Sequence, residues 1–391
     1  MKMSLRFTVS GVLAMIMGAA CFGQHYTQTN LVSNESGVAP VTDSQLINPW
    51  GISRGSGSPW WVSDERTGLS TLYNGAGAKQ SLIVTIPPAD PKKTPTGTPT
   101  GTIFNGSQTD FLLAPGKPAV FLFSTNDGTI SGWNPGVAAT LAVIVAKNTD
   151  GSSYTGLTSA FINGKPFLYA ANFNKGRVDV YDNAFHLVQL SKEHFNRDSS
   201  NGDDQSAGNP FVDERLPHGY VPFNVQAIGN DIVVTYALHE EGSQFETDGP
   251  GLGFVDVYSS TGQLLQRLEH GDWLNAPWGV ALAPLDFGRF SHDLLIGQFA
   301  GGGDTQASGF IAAYDLTTGK FDGLLQDASG KPLAINGVWA LSPGNVSLNN
   351  NDAAAAPAAQ VYFTAGPNHT TSGLLGYLTA VSAELTEGND Q

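Results

Sequence analysis

Short apolar runs alternate with polar, glycine-bearing turns along most of the chain, and the run after such a turn repeatedly ends in an aromatic residue. The first copy reads Trp60-Trp61-Val62-Ser63, a turn at 64–68, then Leu69 to Tyr73. It returns as Val120 to Ser124 with Thr129 to Trp133, and as Phe167 to Ala171 with Arg177 to Tyr181. A fourth copy joins Ile232 to Ala237 with Gly253 to Tyr258 through a long turn at 239–251. The fifth joins Leu294 to Gly297 with Gly309 to Tyr314 through Gly301-Gly302-Gly303-Asp304, and the sixth joins Val361 to Thr364 with Gly373 to Tyr377. Each copy predicts a β-hairpin. Arg177-Val178-Asp179-Val180-Tyr181 alternates apolar and polar residues as a half-buried strand requires.

A second phrase precedes the hairpins. It reads Asn48-Pro49-Trp50-Gly51-Ile52, Tyr154-Thr155-Gly156-Leu157, Val221-Pro222-Phe223-Asn224-Val225, Ala276-Pro277-Trp278-Gly279-Val280 and Ile335-Asn336-Gly337-Val338-Trp339. The copy before the second hairpin is degenerate and falls within Gly101 to Phe111. These segments predict innermost strands, with Gly51, Gly156, Gly279 and Gly337 placed where strands crowd an axis. Turns such as Ser260-Thr261-Gly262 follow the aromatic residues, and outer strands such as Gln263 to Leu268 come next. The hairpins recur every roughly 45–65 residues, the length of one four-stranded blade with its loops. The expectation is an all-β, six-bladed β-propeller spanning 24–382 as one domain, with a flexible tail at 383–391. A seventh blade hidden in a divergent stretch is the alternative ring. A two-sheet sandwich would not need six copies of one phrase.

Two stretches break the period. Pro87 to Gly101, rich in Pro, Thr and Gly, reads as an exposed loop. Ser191 to Pro222 carries Asp198, Asp203, Asp204, Asp213 and Glu214 and reads as a solvated acidic insertion, since its spacing lacks the alternating ligands of an EF-hand.

Composition supports the strand reading. The chain has 47 Gly, 22 Pro and only 14% charged residues, which suits many strands joined by tight turns. Its formal net charge of −15 removes the basic patch that a nucleic-acid partner requires. Residues 1–23 read as a secretory signal: Lys2 and Arg6, an apolar stretch from Val9 to Met17, then Gly18, Ala19 and Ala20. Cys21 is the single cysteine, so no intramolecular disulfide is possible. A lipoprotein anchored through Cys21 is the lesser alternative, because the usual Leu three residues earlier is missing. The mature chain is expected to be a secreted or periplasmic monomer without a transmembrane anchor.

The Trp-Gly-Ile/Val phrase, with hairpins ending in Val-Tyr-Asp or Ala-Tyr-Asp, resembles NHL-type six-bladed propellers. Asn48-Pro49-Trp50-Gly51-Ile52, Ala276-Pro277-Trp278-Gly279-Val280 and Ala170-Ala171-Asn172-Phe173 together resemble a family of uncharacterised exported bacterial propeller proteins. Some members of that family carry a C-terminal sorting helix, which Glu387-Gly388-Asn389-Asp390-Gln391 does not resemble. The resemblance implies a fold and leaves the chemistry open.

Two catalytic motifs are missing: the sequence has no His-Glu-x-x-His and no P-loop. By analogy with other propellers, a site would gather on the channel face, where inner strands begin and second strands turn into third strands. That face collects Trp50, Arg66, Asn126, Asn172, Trp278, Gln298, Asn368 and His369 as ligand-binding candidates. Asp64, Asn172 and Asn224 offer oxygens for Ca²⁺ or Mg²⁺. His239, with Glu240 beside it, is the candidate acid–base. Asp and Asn are also ordinary turn formers, which competes with each of these assignments. The leading functional expectation is a binding scaffold for an extracytoplasmic protein, glycan or small molecule, docked on the channel face. The alternative is a divalent-metal-dependent lactonase-type hydrolase or lyase in the channel, and the third reading is a structural surface protein without a pocket.

Overall fold

Each repeat forms its own antiparallel sheet in the computed structural model, which describes residues 23–190, 210–243, 245–299, 309–344 and 359–382. Residues 1–22 of the expected signal (Cys21 included), the turn at 301–304 and the tail at 383–391 lie outside the described residues. Blade one is Pro49–Ser53, Trp60–Asp64, Leu69–Tyr73 and Lys79–Thr85, from the axis outwards. Blade two is Pro99–Phe104, Phe121–Thr125, Thr129–Trp133 and Val143–Lys147. Blade three is Tyr154–Ile162, Lys165–Asn172, Arg177–Tyr181 and Leu187–Val188. Blade four is Tyr220–Ile228, Asp231–Leu238, Gly253–Tyr258 and Leu264–Arg267. Blade five is Pro277–Leu282, Leu294–Gln298, Ile311–Tyr314 and Phe321–Leu324.

Blade six takes only three strands from the C-terminal repeat: Val338–Pro343, Val361–Ala365 and Leu374–Ala380. Its outer strand is Tyr26–Ser33, paired antiparallel from Tyr26 opposite Ala380 to Ser33 opposite Leu374. This closing strand has no counterpart in the sequence reading, because its partner lies at the other end of the chain. The ring is therefore the expected six-bladed propeller, sealed by backbone hydrogen bonds between its first and last strands.

Crowding at the axis explains the inner-strand glycines. A Cβ on Gly51 would stand 2.5 Å from the Thr100 carbonyl oxygen, and one on Gly279 would stand 2.4 Å from the Trp339 carbonyl oxygen. Gly337 departs from the expectation. It precedes its strand with φ +68°, so it makes a turn, and Ala340 takes the position after the tryptophan that Gly51 holds after Trp50. The second inner strand also begins earlier than expected, at Pro99, so Pro99 to Gly101 belong to the strand and not to the exposed loop. Pro49, Pro99 and Pro277 open their strands, where a missing N–H is tolerated.

Side chains stitch neighbouring blades together near the axis. The Phe104 N–H donates to Ser53 Oγ (3.0 Å), Thr100 Oγ1 donates to the Tyr154 carbonyl (2.7 Å), and the Ala227 N–H donates to Thr158 Oγ1 (2.9 Å). Asn224 Nδ2 donates to the Trp278 carbonyl at 2.7 Å, and Thr364 Oγ1 donates to the Trp50 carbonyl. The repeated tyrosines fill the wedges between blades, and each buried hydroxyl has a partner. Tyr73 donates to Asp43 at 2.6 Å, Tyr181 bonds Tyr154 at 2.6 Å, and Tyr258 bonds Tyr236 at 2.7 Å.

Of the acidic insertion, residues 191–209, with Asp198, Asp203 and Asp204, lie outside the described residues; at its described end Glu214 is exposed as expected, while Phe211 and Asp213 are anchored. Phe211 is buried against Tyr169 and Tyr258. Asp213 takes a bidentate ion pair from Arg267 on the outer strand of blade four. Aromatic contact and charge pairing fix these two positions of the loop. Beside this pair, burial and then the Asp213 charge push Asp256 up to about 7.

Two tests follow from this packing. Gly51→Ala should lower the urea midpoint, with a cost of about 1–3 kcal/mol from overpacking. Gly106→Ala, whose Cβ would meet nothing nearer than 3.6 Å, should leave the midpoint unchanged. The native Asp256 holds its proton at pH values where the unfolded chain has lost it, so its contribution to stability falls as pH rises through about 7. Asp256→Asn should accordingly be more stable than the parent at pH 8, with the difference vanishing towards pH 4 in thermal melts.

Candidate functional site

Every inner strand breaks register with its neighbour near its start: after Pro49, Pro99, Tyr154, Pro222, Pro277 and Val338. A bulge re-aims the side chain that it carries. The residues that follow are Trp50, Thr100, Thr155, Phe223, Trp278 and Trp339, and four of the six are aromatic.

These aromatic side chains meet across the axis. Trp50 stacks on Trp339 with ring centroids 3.6 Å apart and 17° between planes. Trp278 meets both edge-on, at 5.8 and 5.9 Å. Phe223, on the blade opposite blade one, lies 6.3 Å from Trp50. Phe299 stacks on Trp339 at 4.0 Å, and Phe173 packs against Phe223 at 5.4 Å. All six rings are buried. Trp278 Nε1 donates across the channel to the Thr155 carbonyl (2.9 Å), and Trp339 Nε1 donates to Asn48 Oδ1 (2.8 Å). The channel is thus plugged on the face where the site was expected. Trp50 and Trp278 are packing residues of the plug and offer no open stacking platform.

The candidate polar residues around the plug are largely committed to the ring itself. Asn172 is buried; its Nδ2 donates to Ser152 Oγ (2.9 Å) and Asp179 Oδ2 (2.7 Å), and its Oδ1 accepts from the Ser153 N–H (3.2 Å). Gln298 accepts from the Asn275 N–H (2.9 Å) and donates to the Ile296 carbonyl (3.0 Å). Asp64 is buried, and its Oδ2 accepts from the Thr71 N–H (3.1 Å) and Oγ1 (2.7 Å). Burial holds its carboxyl well above the usual carboxylate range. Asn224 uses its amide nitrogen on the Trp278 carbonyl, as above. Asp64, Asn172 and Asn224 therefore face three separate sets of partners. Among the described residues, no group of three or more His, Cys, Asp or Glu side chains lies close enough to hold a metal ion.

The remaining candidates sit nearer solvent. His239 Nε2 is 2.9 Å from the Ser243 carbonyl, which only accepts, so that nitrogen carries the proton. Its ring lies over Phe173, centroids 4.5 Å apart. Glu240 is exposed, and Asn126 is fixed by its N–H to the Thr98 carbonyl (3.0 Å). Arg66, Asn368 and His369 are brought to one place. Arg66 donates from Nε to the Thr370 carbonyl (3.0 Å) and from Nη2 to the Thr370 hydroxyl. Asn368 donates to Glu35 at 2.8 Å. Asn368, His369 and Thr370 all have positive φ, at 55°, 53° and 61°. Three consecutive non-glycine residues in the left-handed region form a strained turn, and His369 is exposed on it.

Sequence reasoning missed Phe223, Phe299, Glu35 and Thr370. Phe223 was legible, since it follows Pro222 as Trp50 follows Pro49. Glu35 and Thr370 carry no signal in the sequence because their positions depend on the closure of blade six.

No family model matches the sequence. Two uncharacterised proteins of Acanthamoeba polyphaga mimivirus are each 28% identical to it: one over 352 residues (88% of this chain, 78% of the relative), the other over 359 residues (89% and 84%). A protein of unknown function from Bacteroides thetaiotaomicron has a similar structure, with a TM-score of 0.50 at 10% identity, covering 92% of this chain and 77% of that one. Virginiamycin B lyase from Staphylococcus aureus has a TM-score of 0.44 at 11% identity, covering 92% of this chain and all of that one. At 10% identity the likeness to the Bacteroides protein shows the fold alone. The two relatives by sequence are viral, and the structure bears out the propeller architecture of the expected likeness. None of the helices among the described residues is long and apolar enough to cross a membrane.

The plug has a measurable signature. Trp50→Ala should cost about 3–5 kcal/mol in urea unfolding. It should also remove a near-ultraviolet circular dichroism couplet that the Trp50–Trp339 stack produces. A mutant with the couplet intact would assign that signal to other tryptophans.

Proposed function

We propose that this chain is a binding scaffold: a rigid ring that recognises a ligand on its plugged channel face. The observation carrying this reading is the left-handed turn at Asn368-His369-Thr370. Each such residue costs about 1–2 kcal/mol relative to a right-handed one. The fold does not demand this cost, because the equivalent turn of blade one needs only Gly68 in that region. Arg66 and Glu35 hold the strained turn in place, and its effect is to present His369 at the rim of the channel. Strain maintained by its surroundings is characteristic of recognition sites. Asn172, Gln298 and Asn224 then serve as the rigid support beneath the recognition surface. Export through residues 1–23 belongs to the same reading and places the ligand, a protein, glycan or small molecule, outside the cytoplasm.

His369→Gly separates recognition from folding. It removes the imidazole and relieves one left-handed residue, so stability should rise by about 1 kcal/mol. Binding to the glycan or peptide selected by the parent protein on arrays should fall at least tenfold. Unchanged binding would remove this turn from the recognition surface. Calcium-dependent turnover of a lactone panel, lost in His239→Ala, would replace the scaffold with the metal-dependent hydrolase.

A further inference from the structure

The opposite end of the channel has a different character. Beyond the plug, the inner strands diverge and enclose a funnel of about 460 Å³ that opens on the far face. Ile52, Ile103, Ile228, Val280, Leu282 and Leu341 supply most of its apolar wall. The funnel narrows into a neck of about 20 Å³, which has room for one water-sized group, and Trp278 lies at its floor. Thr102 and Gln226 line both the funnel and the neck. Thr102 is 94% buried, being 6% exposed, and its Oγ1 has no hydrogen-bond partner among the described residues. The only bond that the Gln226 side chain makes among those residues is a long one, 3.4 Å from Nε2 to the Ala227 carbonyl.

Charge is distributed unexpectedly. The chain has 34 Asp and Glu residues against 19 Lys and Arg, yet among the described residues the funnel wall contains no carboxylate. The charged residue among them is Arg54 at the mouth, whose guanidinium lies 5.1 Å from the Trp60 ring centre. A buried hydroxyl without a partner is costly to maintain, and a ligand group that bonds it recovers that cost. The volume falls within the range of small-molecule pockets: apolar walls with a few convergent polar atoms.

We infer that this funnel is a second binding site, which takes a slender aliphatic molecule bearing one neutral or anionic hydrogen-bonding end group, with one oxygen of that group entering the neck beside Thr102 and Gln226. The site is independent of the plugged face. A cationic head group finds no carboxylate among the described residues of the wall and meets Arg54 at the entrance.

The probes are 1-octanol, octanoate and octyltrimethylammonium, titrated at physiological salt so that the net charge of the chain is screened beyond about 8 Å. Methyl-labelled isoleucine spectra locate the site. Octanol and octanoate should saturate at one equivalent and shift the methyl signals of Ile52, Ile103 and Ile228, leaving Ile83 and Ile144 on outer strands unmoved. Octyltrimethylammonium should bind at least tenfold more weakly. Thr102→Val should weaken octanol about fivefold while leaving the melting temperature unchanged or higher, since it removes an unpaired hydroxyl. Leu282→Trp, a change at the exposed mouth, should block binding without unfolding the chain. No saturable shift of the three isoleucine methyls, equal binding of the cation, or undiminished binding by both variants would each overturn the inference.

Discussion

Six strands must share one axis, and the space available to them there is too small for ordinary side chains. Glycine relieves the crowding at Gly51, Gly101, Gly156 and Gly279, where backbone and side chains of the next blade would stand only 2.1–2.5 Å from a Cβ. The bulges beside those glycines turn the neighbouring residue into the space that remains at the centre. Four of those residues are large and aromatic, so the channel is filled on one face by stacked rings. The inter-blade hydrogen bonds, the wedge tyrosines and the committed amides all depend on that spacing.

The same constraint accounts for what was legible in the sequence. Hairpins repeat with turn residues and terminal aromatics because each blade solves the same packing problem, so the six units could be counted without a structure. Trp50-Gly51 and Trp278-Gly279 marked the axis for the same reason. Val338-Trp339-Ala340 was harder to align, since alanine replaces glycine and Gly337 nearby serves a turn. Tyr26–Ser33 was illegible because a strand supplied from the other end of the chain leaves no periodic trace.

Candidate chemistry was less legible than fold. Polar residues at strand ends were expected around the channel, but position alone does not reveal whether an amide is available. Asn172 and Gln298 are engaged by backbone groups and neighbours that only the folded blades bring near. Conversely, the funnel on the far face consists of aliphatic residues that look like ordinary core in the sequence. Its distinguishing features among the described residues, a wall without carboxylates and an unpaired Thr102 hydroxyl, exist only once five inner strands converge.

The closure of blade six also has a kinetic meaning. Tyr26–Ser33 is among the first parts of the domain to be synthesised, and its partner Leu374–Ala380 among the last. Until that partner emerges, the early strand presents an open edge, and the pairing that seals the ring must close a loop of almost the whole domain. Contacts so distant along the chain slow folding and expose intermediates to misassociation. The ring that is rigid once complete therefore passes through a long period in which its first strand must be kept from pairing with another chain.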